Sequence, residues 1–214
     1  MNHAWNVYKK ELFTRMPDLR ASLNAGASEA AVRAAEQEIG VDFPPEMREL
    51  YLANDGDNGE EVCGVLLGFH FYSLDELRSE WRGWVELAAN EELNQAGSFT
   101  STPEGRIKRR YADTKWIPIC CDGGGNYIGI DLDPDEKGRA GQVINFGRDE
   151  HDKHVLEVNL NAFLERLTRL IRSDDFVIEE DEFEEDCKII CFGPEEHYGH
   201  QHLTDYLKSE DSVR

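Results

Sequence analysis

The chain has 214 residues, 40% hydrophobic and 10% aromatic, with 44 acidic residues against 23 basic ones and a formal net charge of −21. That length and apolar content are enough for a packed core and exclude a compositionally disordered chain. The charge excludes a binder of nucleic-acid phosphates or anionic lipid, because both need Lys and Arg to displace counterions; it keeps the chain soluble and favours basic partners.

From the start of the chain, Trp5, Tyr8 and Leu12 fall at helical spacing and predict a helix reaching Met16. Gly26 breaks the chain, and Ser28 is placed to cap a second helix with Val32, Ala35 and Ile39 on one face and Gly40 at its end. In Phe43-Pro44-Pro45, Pro45 suits a first helical turn, where its missing N–H costs nothing; Met47, Leu50 and Tyr51 give that short helix its apolar face. It ends in the turn formers Asn54-Asp55-Gly56-Asp57-Asn58-Gly59. The apolar run from Val62 to Tyr72, broken by Gly64 and Gly68, reads as one or two strands. Ser73-Leu74-Asp75-Glu76 fits a capping box opening a helix through Leu77, Trp81, Trp84, Val85 and Ala88, and Gly97 to Pro103 reads as an exposed loop.

Trp116 to Cys121 is a buried-strand pattern, Asp122-Gly123-Gly124-Gly125-Asn126 must turn, and Tyr127 to Leu132 and Gln142 to Phe146 supply two more strands. Tight turns between consecutive strands favour an antiparallel meander. A strand at His154 to Val158 leads to a helix from Leu160 to Ile171, striped by Phe163, Leu164, Leu167 and Leu170. Asp174 to Asp186 then carries nine acids and no bases; without them the formal charge moves from −21 to −12, so the body is acidic too. Because apolar residues interleave with these acids and Lys188 to Phe192 reads as a strand, residues 1–172 are expected to form the main domain and 173–214 an acidic extension packed on it.

The cysteines, Cys63, Cys120, Cys121, Cys187 and Cys191, are odd in number and lack a C-x-x-C pair, which fits reduced thiols in the cytoplasm. Met1 to Phe13 has no apolar leader core and no stretch reaches the ~18 apolar residues of a membrane span, so no targeting segment is expected. The glycine turn lacks both the Walker spacing and its lysine, and Asp122 would repel phosphate, so it reads as a hairpin or a partner-facing turn. His197, His200 and His202, like His151 and His154, match no metal-ligand spacing and read as solvated polar residues; no metal or cofactor is expected. Nothing matches a nucleophile motif, so no catalytic residue is assigned. Arg106, Lys108, Arg109 and Arg110 read as a solvated face or as ion-pair partners of the acidic segment, and Trp81 and Trp84 as packing residues.

Several of these pieces occur in one order: Phe43-Pro44-Pro45, Leu50-Tyr51-Leu52, Asn54-Asp55-Gly56, Trp116-Ile117-Pro118-Ile119 followed by Asp122 to Asn126, Asp131-Leu132-Asp133-Pro134, Gly141-Gln142-Val143 and Phe163-Leu164. Over residues 25 to 172 the chain resembles the SUKH superfamily, which includes fungal Smi/Knr cell-wall regulators and bacterial toxin-immunity proteins. It departs from that pattern at Asp57-Asn58, which lengthens the first turn, and after Arg172, where no counterpart is recognised. The resemblance implies an α+β fold, helices packed on a mainly antiparallel sheet, and non-enzymatic work through a protein partner. The leading expectation is an immunity protein that neutralises a basic toxin, for instance a nuclease. A cell-wall-type regulatory scaffold is the alternative, and a small-molecule binder or enzyme the remote one. The partner contact is assigned to Asp122, Gly123, Gly124, Gly125 and Asn126 and to Asp174, Asp175, Glu179, Glu180, Asp181 and Glu182. Oligomeric state is left open.

Overall fold

In the computed structural model the described residues are 3–58, 64–96, 98–173, 176–180, 188–192 and 203–211. Helix α1 (His3–Arg15) buries Trp5, Tyr8 and Leu12, and the short α2 (Leu19–Ser22) follows. Helix α3 (Glu29–Ile39) starts where the Ser28 hydroxyl accepts the Ala31 amide and stops at Gly40, whose φ of 71° is left-handed. Helix α4 (Pro45–Ala53) carries Pro45 in its first turn and buries Met47, Leu50 and Tyr51. The capping box opens α5 (Leu74–Ala88): Ser73 accepts the Glu76 amide and Glu76 accepts the Ser73 amide. A reciprocal cap of this kind stabilises a helix by about 1 kcal/mol. Helix α6 (Glu91–Ala96) completes the first half.

The sheet has six strands in the order β1-β3-β4-β5-β6-β2. These are β1 (His70–Phe71), β2 (Thr100–Thr102), β3 (Trp116–Cys121), β4 (Asn126–Asp131), β5 (Gln142–Gly147) and β6 (Asp152–Glu157). The expected meander is present: β3, β4, β5 and β6 pair antiparallel in succession, with β1 antiparallel to β3 at one edge. Every residue of β3 and β5 is buried; the apolar run of β3 suits a strand covered on both faces, and β5 carries the buried polar residues Gln142 and Asn145. Tyr127 lies opposite Phe146, and the Trp84 indole of α5 meets both rings at centroid distances of 5.5 and 5.4 Å. Trp84 is therefore core packing; Trp81 is half-buried and donates its indole N–H to the Thr114 carbonyl at 2.8 Å. Helix α7 (Leu160–Ser173) packs against β5, β6 and α1 with Leu160, Phe163, Leu164, Leu167 and Ile171 buried. A hairpin of β7 (Phe176–Glu180) and β8 (Lys188–Phe192) forms a separate two-stranded sheet, and α8 (Leu203–Asp211) lies against β6 and β8.

Two expectations need correction. The apolar run after Val62 is mostly turn: only His70–Phe71 joins the ladder, and Gly64 and Leu67 have φ of 46° and 51°. Val62 itself is outside the described residues. The run bends because Asp57 pins it at two points, accepting the Val65 and Phe71 amides. The stretch ending at Pro103, whose Gly97 is not described, is not simply an exposed loop. Thr100–Thr102 pairs parallel with Asp152–His154, and Phe99 and Ser101 are buried. The Ser101 hydroxyl holds the following bend by accepting the Arg106 and Ile107 amides and donating to the Pro103 carbonyl. In the basic cluster Arg106 and Arg109 face solvent as expected, while Lys108 pairs with Asp133 and Arg110 with Asp113 at 3.1 Å, acids of the body.

Candidate functional site

The first group of residues singled out in the sequence, Asp122 to Asn126, lies at one end of the sheet, where β1 lies beside the β3–β4 turn. His70 of β1 is the register partner of Cys121, the last residue of β3, and Asp122 to Asn126 follow at once. The Asp122 carboxylate closes its own turn. It accepts the Gly124 amide at 2.7 Å, the Asn126 amide at 3.0 Å and the Asn126 side-chain amide at 2.9 Å. Gly123 and Gly125 have φ of 77° and 94°, which side-chain-bearing residues rarely adopt, so the glycines are what let the chain fold back around that carboxylate. The inward-facing amides that would cradle an anion are thus occupied by Asp122, while Gly123 and Gly124 stay exposed at the tip. This is a rigid, solvent-facing hairpin turn.

Beside it lies a buried polar hub built on Asn54-Asp55-Gly56-Asp57. Asn54 accepts the Trp5 indole N–H at 3.0 Å and the Lys9 ammonium at 2.8 Å and donates to the Asn24 carbonyl, joining α1, α4 and the segment before α3. Asp55 accepts the Leu74 amide at the head of α5. At Gly56 (φ 77°) a Cβ would sit 2.3 Å from the Ser73 nitrogen, so any side chain would push α5 off its seat. Asp57 is 3% exposed; besides the two backbone amides it bonds the His70 imidazole through Nδ1, while Nε2 of His70 reaches Glu76 at 3.0 Å. The hydrogen bond to Asp57, opposed in part by burial and aided by Glu76, raises His70 to about 9. The cation therefore bridges two carboxylates at neutral pH. Burial pushes the Glu76 carboxyl up, but hydrogen bonds from Ser73 and His70 outweigh it and hold it below its ordinary value.

Between hub and turn the packing is aromatic, with Tyr72 and Tyr127 both buried. The Tyr72 ring stands edge-on to His70 at 5.4 Å and lies 6.2 Å from Tyr127, whose hydroxyl donates to Glu80 at 2.8 Å. Cys120 and Cys121 are buried thiols pushed up mainly by burial, which disfavours the nucleophilic thiolate. The His and carboxylate groups of this end are thus engaged in holding backbone and helix starts.

Of the second group of assigned contact residues, only Glu179 and Glu180 fall within the described residues. Glu179 and Glu180 are on β7, and Asp174, Asp175, Asp181 and Glu182 lie outside the described residues, as do Cys63, Cys187, His197, His200 and His202. His151 stacks on Phe99 at 5.6 Å. Sequence reading missed two buried cations. Lys153 is fully buried between the Trp116 and Phe99 rings, donates to the Glu150 carbonyl at 2.8 Å, and is lowered to about 8 by burial. Arg166 is 3% exposed and donates to the Leu156 carbonyl of β6 and the Leu207 carbonyl of α8, each at 2.8 Å. A lysine in a charged stretch and an arginine on an amphipathic helix ordinarily face water, so no local signal marks either.

Residues 26–166 match the family described as "SMI1 / KNR4 family (SUKH-1)". Among curated proteins the chain is similar to the cell wall biosynthesis/cell cycle regulator smi1 of Schizosaccharomyces pombe, 30% identical over 88% of this chain and 39% of that protein. It is similar to the cell wall assembly regulator SMI1 of Saccharomyces cerevisiae, 28% identical over 69% of this chain and 36% of that protein. It also resembles the glucan synthesis regulatory protein of Neurospora crassa, 24% identical over 83% of this chain and 40% of that protein. The chain thus spans well under half the length of these relatives. Their names overturn the toxin-immunity expectation, and with it the basic nuclease as partner. This chain's acidity and the fold implied by the resemblance could not separate the two expectations; similarity to named wall and glucan-synthesis regulators does.

Proposed function

Because this chain belongs to the SMI1 / KNR4 family (SUKH-1), we propose that it is a regulatory protein-binding module of cell-wall assembly, working through contacts with other proteins and not through catalysis. The observation that carries this reading is the similarity, over 69 to 88% of the chain, to relatives named as regulators of wall assembly. The site chemistry supports it. Asp122, Asp57, His70 and Glu76 are engaged in fixing turns and a helix start, an arrangement that makes a rigid surface and leaves them poorly placed to act on a substrate.

In this reading residues 1–172 are the family domain and 173–214 an acidic extension docked on it through α8. Partner contacts fall on the exposed Asp122–Asn126 turn and on the acidic stretch containing Asp174, Asp175, Glu179, Glu180, Asp181 and Glu182. The protein acts in the cytoplasm, where buried Cys120, Cys121 and Cys191 stay reduced.

A domain swap tests this. The matched region of the Saccharomyces cerevisiae regulator is replaced by this chain, and growth is scored under wall stress against the unmodified regulator and a deletion. Growth near the unmodified level is expected. Growth no better than the deletion, from a fusion present at normal abundance, would count against the regulatory reading.

A further inference from the structure

We propose that the outer edge of β7 accepts an extended, basic segment of a protein partner as an added strand. The proposal rests on the regulatory reading above and adds to it the chemistry of one partner segment.

The hairpin has an inner and an outer strand. β8 is the inner one: Ile190, Cys191 and Phe192 are 5 to 8% exposed, and Phe192 meets the Tyr206 ring of α8 at 5.6 Å. β7 is the outer one: Phe176 and Val177 are half-buried and Ile178 is 39% exposed. β7 pairs with β8 along its whole length, from Phe176↔Phe192 to Glu180↔Lys188, and among the described residues no strand lies on its other side. A five-residue strand paired on one side presents alternate N–H and C=O groups outward, which is the template that strand addition uses. Ile178 is one of three exposed large apolar side chains among the described residues, and here it stands on that strand.

Charge selects the occupant. β7 ends in Glu179-Glu180, and the sequence from Asp174 to Asp186 around it has nine acids and no bases. Two copies of this edge paired together would bring carboxylates against carboxylates, so the same acids that invite a cationic strand repel a second copy. A segment alternating Lys or Arg with aliphatic residues carries its cations on one face and its aliphatic side chains on the other, so it can set a cation near Glu179 and an apolar side chain near Ile178, which point to opposite faces of β7.

Fluorescence anisotropy with the full chain tests this, using labelled ten-residue peptides. One alternates Val and Lys, the second has the same sequence with alternate backbone amides N-methylated, and the third carries Glu in place of Lys. The Val-Lys peptide is expected to bind, more weakly as salt rises, and N-methylation to cost about tenfold or more, the effect of losing one or two ladder hydrogen bonds. The Glu peptide should bind only the Glu179→Lys, Glu180→Lys double variant, whose folding is checked by circular dichroism. Equal binding of the N-methylated peptide would mean charge attraction without strand addition and would overturn the proposal. So would absence of Val-Lys binding, or a double variant that still prefers Lys. These peptide outcomes leave the domain-swap result untouched: a successful swap with no peptide binding removes the β7 edge and keeps the regulatory reading.

Discussion

The β3–β4 turn and the α8 seam are both held by buried or half-buried polar groups, yet they are built in opposite ways. In the turn, Asp122 bonds groups no more than four residues away. In the seam, Arg166 reaches across 41 residues to the Leu207 carbonyl, and Lys208 reaches across 58 to Glu150 at 2.5 Å. A local device costs little chain entropy to form and stands or falls alone. A long-range one couples two segments, so removing it affects both. The family match ends at residue 166 itself, and that residue divides its guanidinium between β6 of the matched region and α8 beyond it. Helix α8 is therefore wired into the interior of the matched region.

The largest expected effect comes from breaking the seam. Arg166→Ala leaves the Leu156 and Leu207 carbonyls without that donor and opens a cavity beneath α8. A loss of about 3 kcal/mol is expected in urea unfolding, with faster amide exchange in α8. If the seam is as coupled as its geometry implies, Leu207→Ala, which removes a fully buried side chain of α8, adds less in the Arg166→Ala background than in the wild type. Strict additivity would show that α8 packs independently of the arginine.

Asp122→Ala tests the local device and should cost less, about 1–2 kcal/mol, since three hydrogen bonds are lost at a half-exposed position where water replaces them in part. Amide exchange should quicken at Gly124 and Asn126 and remain unchanged in α8. Faster exchange in α8 would erase the distinction between the two regions.

The same distinction explains what could be read from the sequence. Elements made by neighbours were legible: the Ser28 and Ser73 caps, Pro45 in a first turn, and β3, β4 and β5 flanking a glycine turn all write their reasons within a few residues. Pairings between distant segments were not. The parallel match of Thr100–Thr102 to β6 has no periodicity of its own, and it depends on Phe99 and Lys153 packing together. Asp57, read only as a turn former, is the anchor that bends an apolar run out of the sheet. The glycine turn was legible as a turn, but the internal use of the Asp122 carboxylate appears only once the chain closes on itself.

The smallest effect concerns the hub, which lies between the two extremes: Asp57 and His70 are thirteen residues apart. His70 is raised in the folded chain to about 9, from an ordinary value near 6.5, by its hydrogen bond to Asp57. A group with a raised folded value binds its proton more tightly when folded. Its contribution is therefore fully present below about pH 6.5 and is lost as pH rises through about 9. Since the ring is partly solvent-exposed, the screened contribution is on the order of 1 kcal/mol. Urea unfolding at pH 6, 7.5 and 9.5 should show the wild type losing this increment progressively over both intervals, while His70→Gln, which cannot titrate, shows a flatter profile over the same range. Parallel profiles for the two proteins would mean that the imidazolium does not bridge Asp57 and Glu76, and that the Asp57 contacts to the Val65 and Phe71 amides hold this part of the hub without a charge on His70.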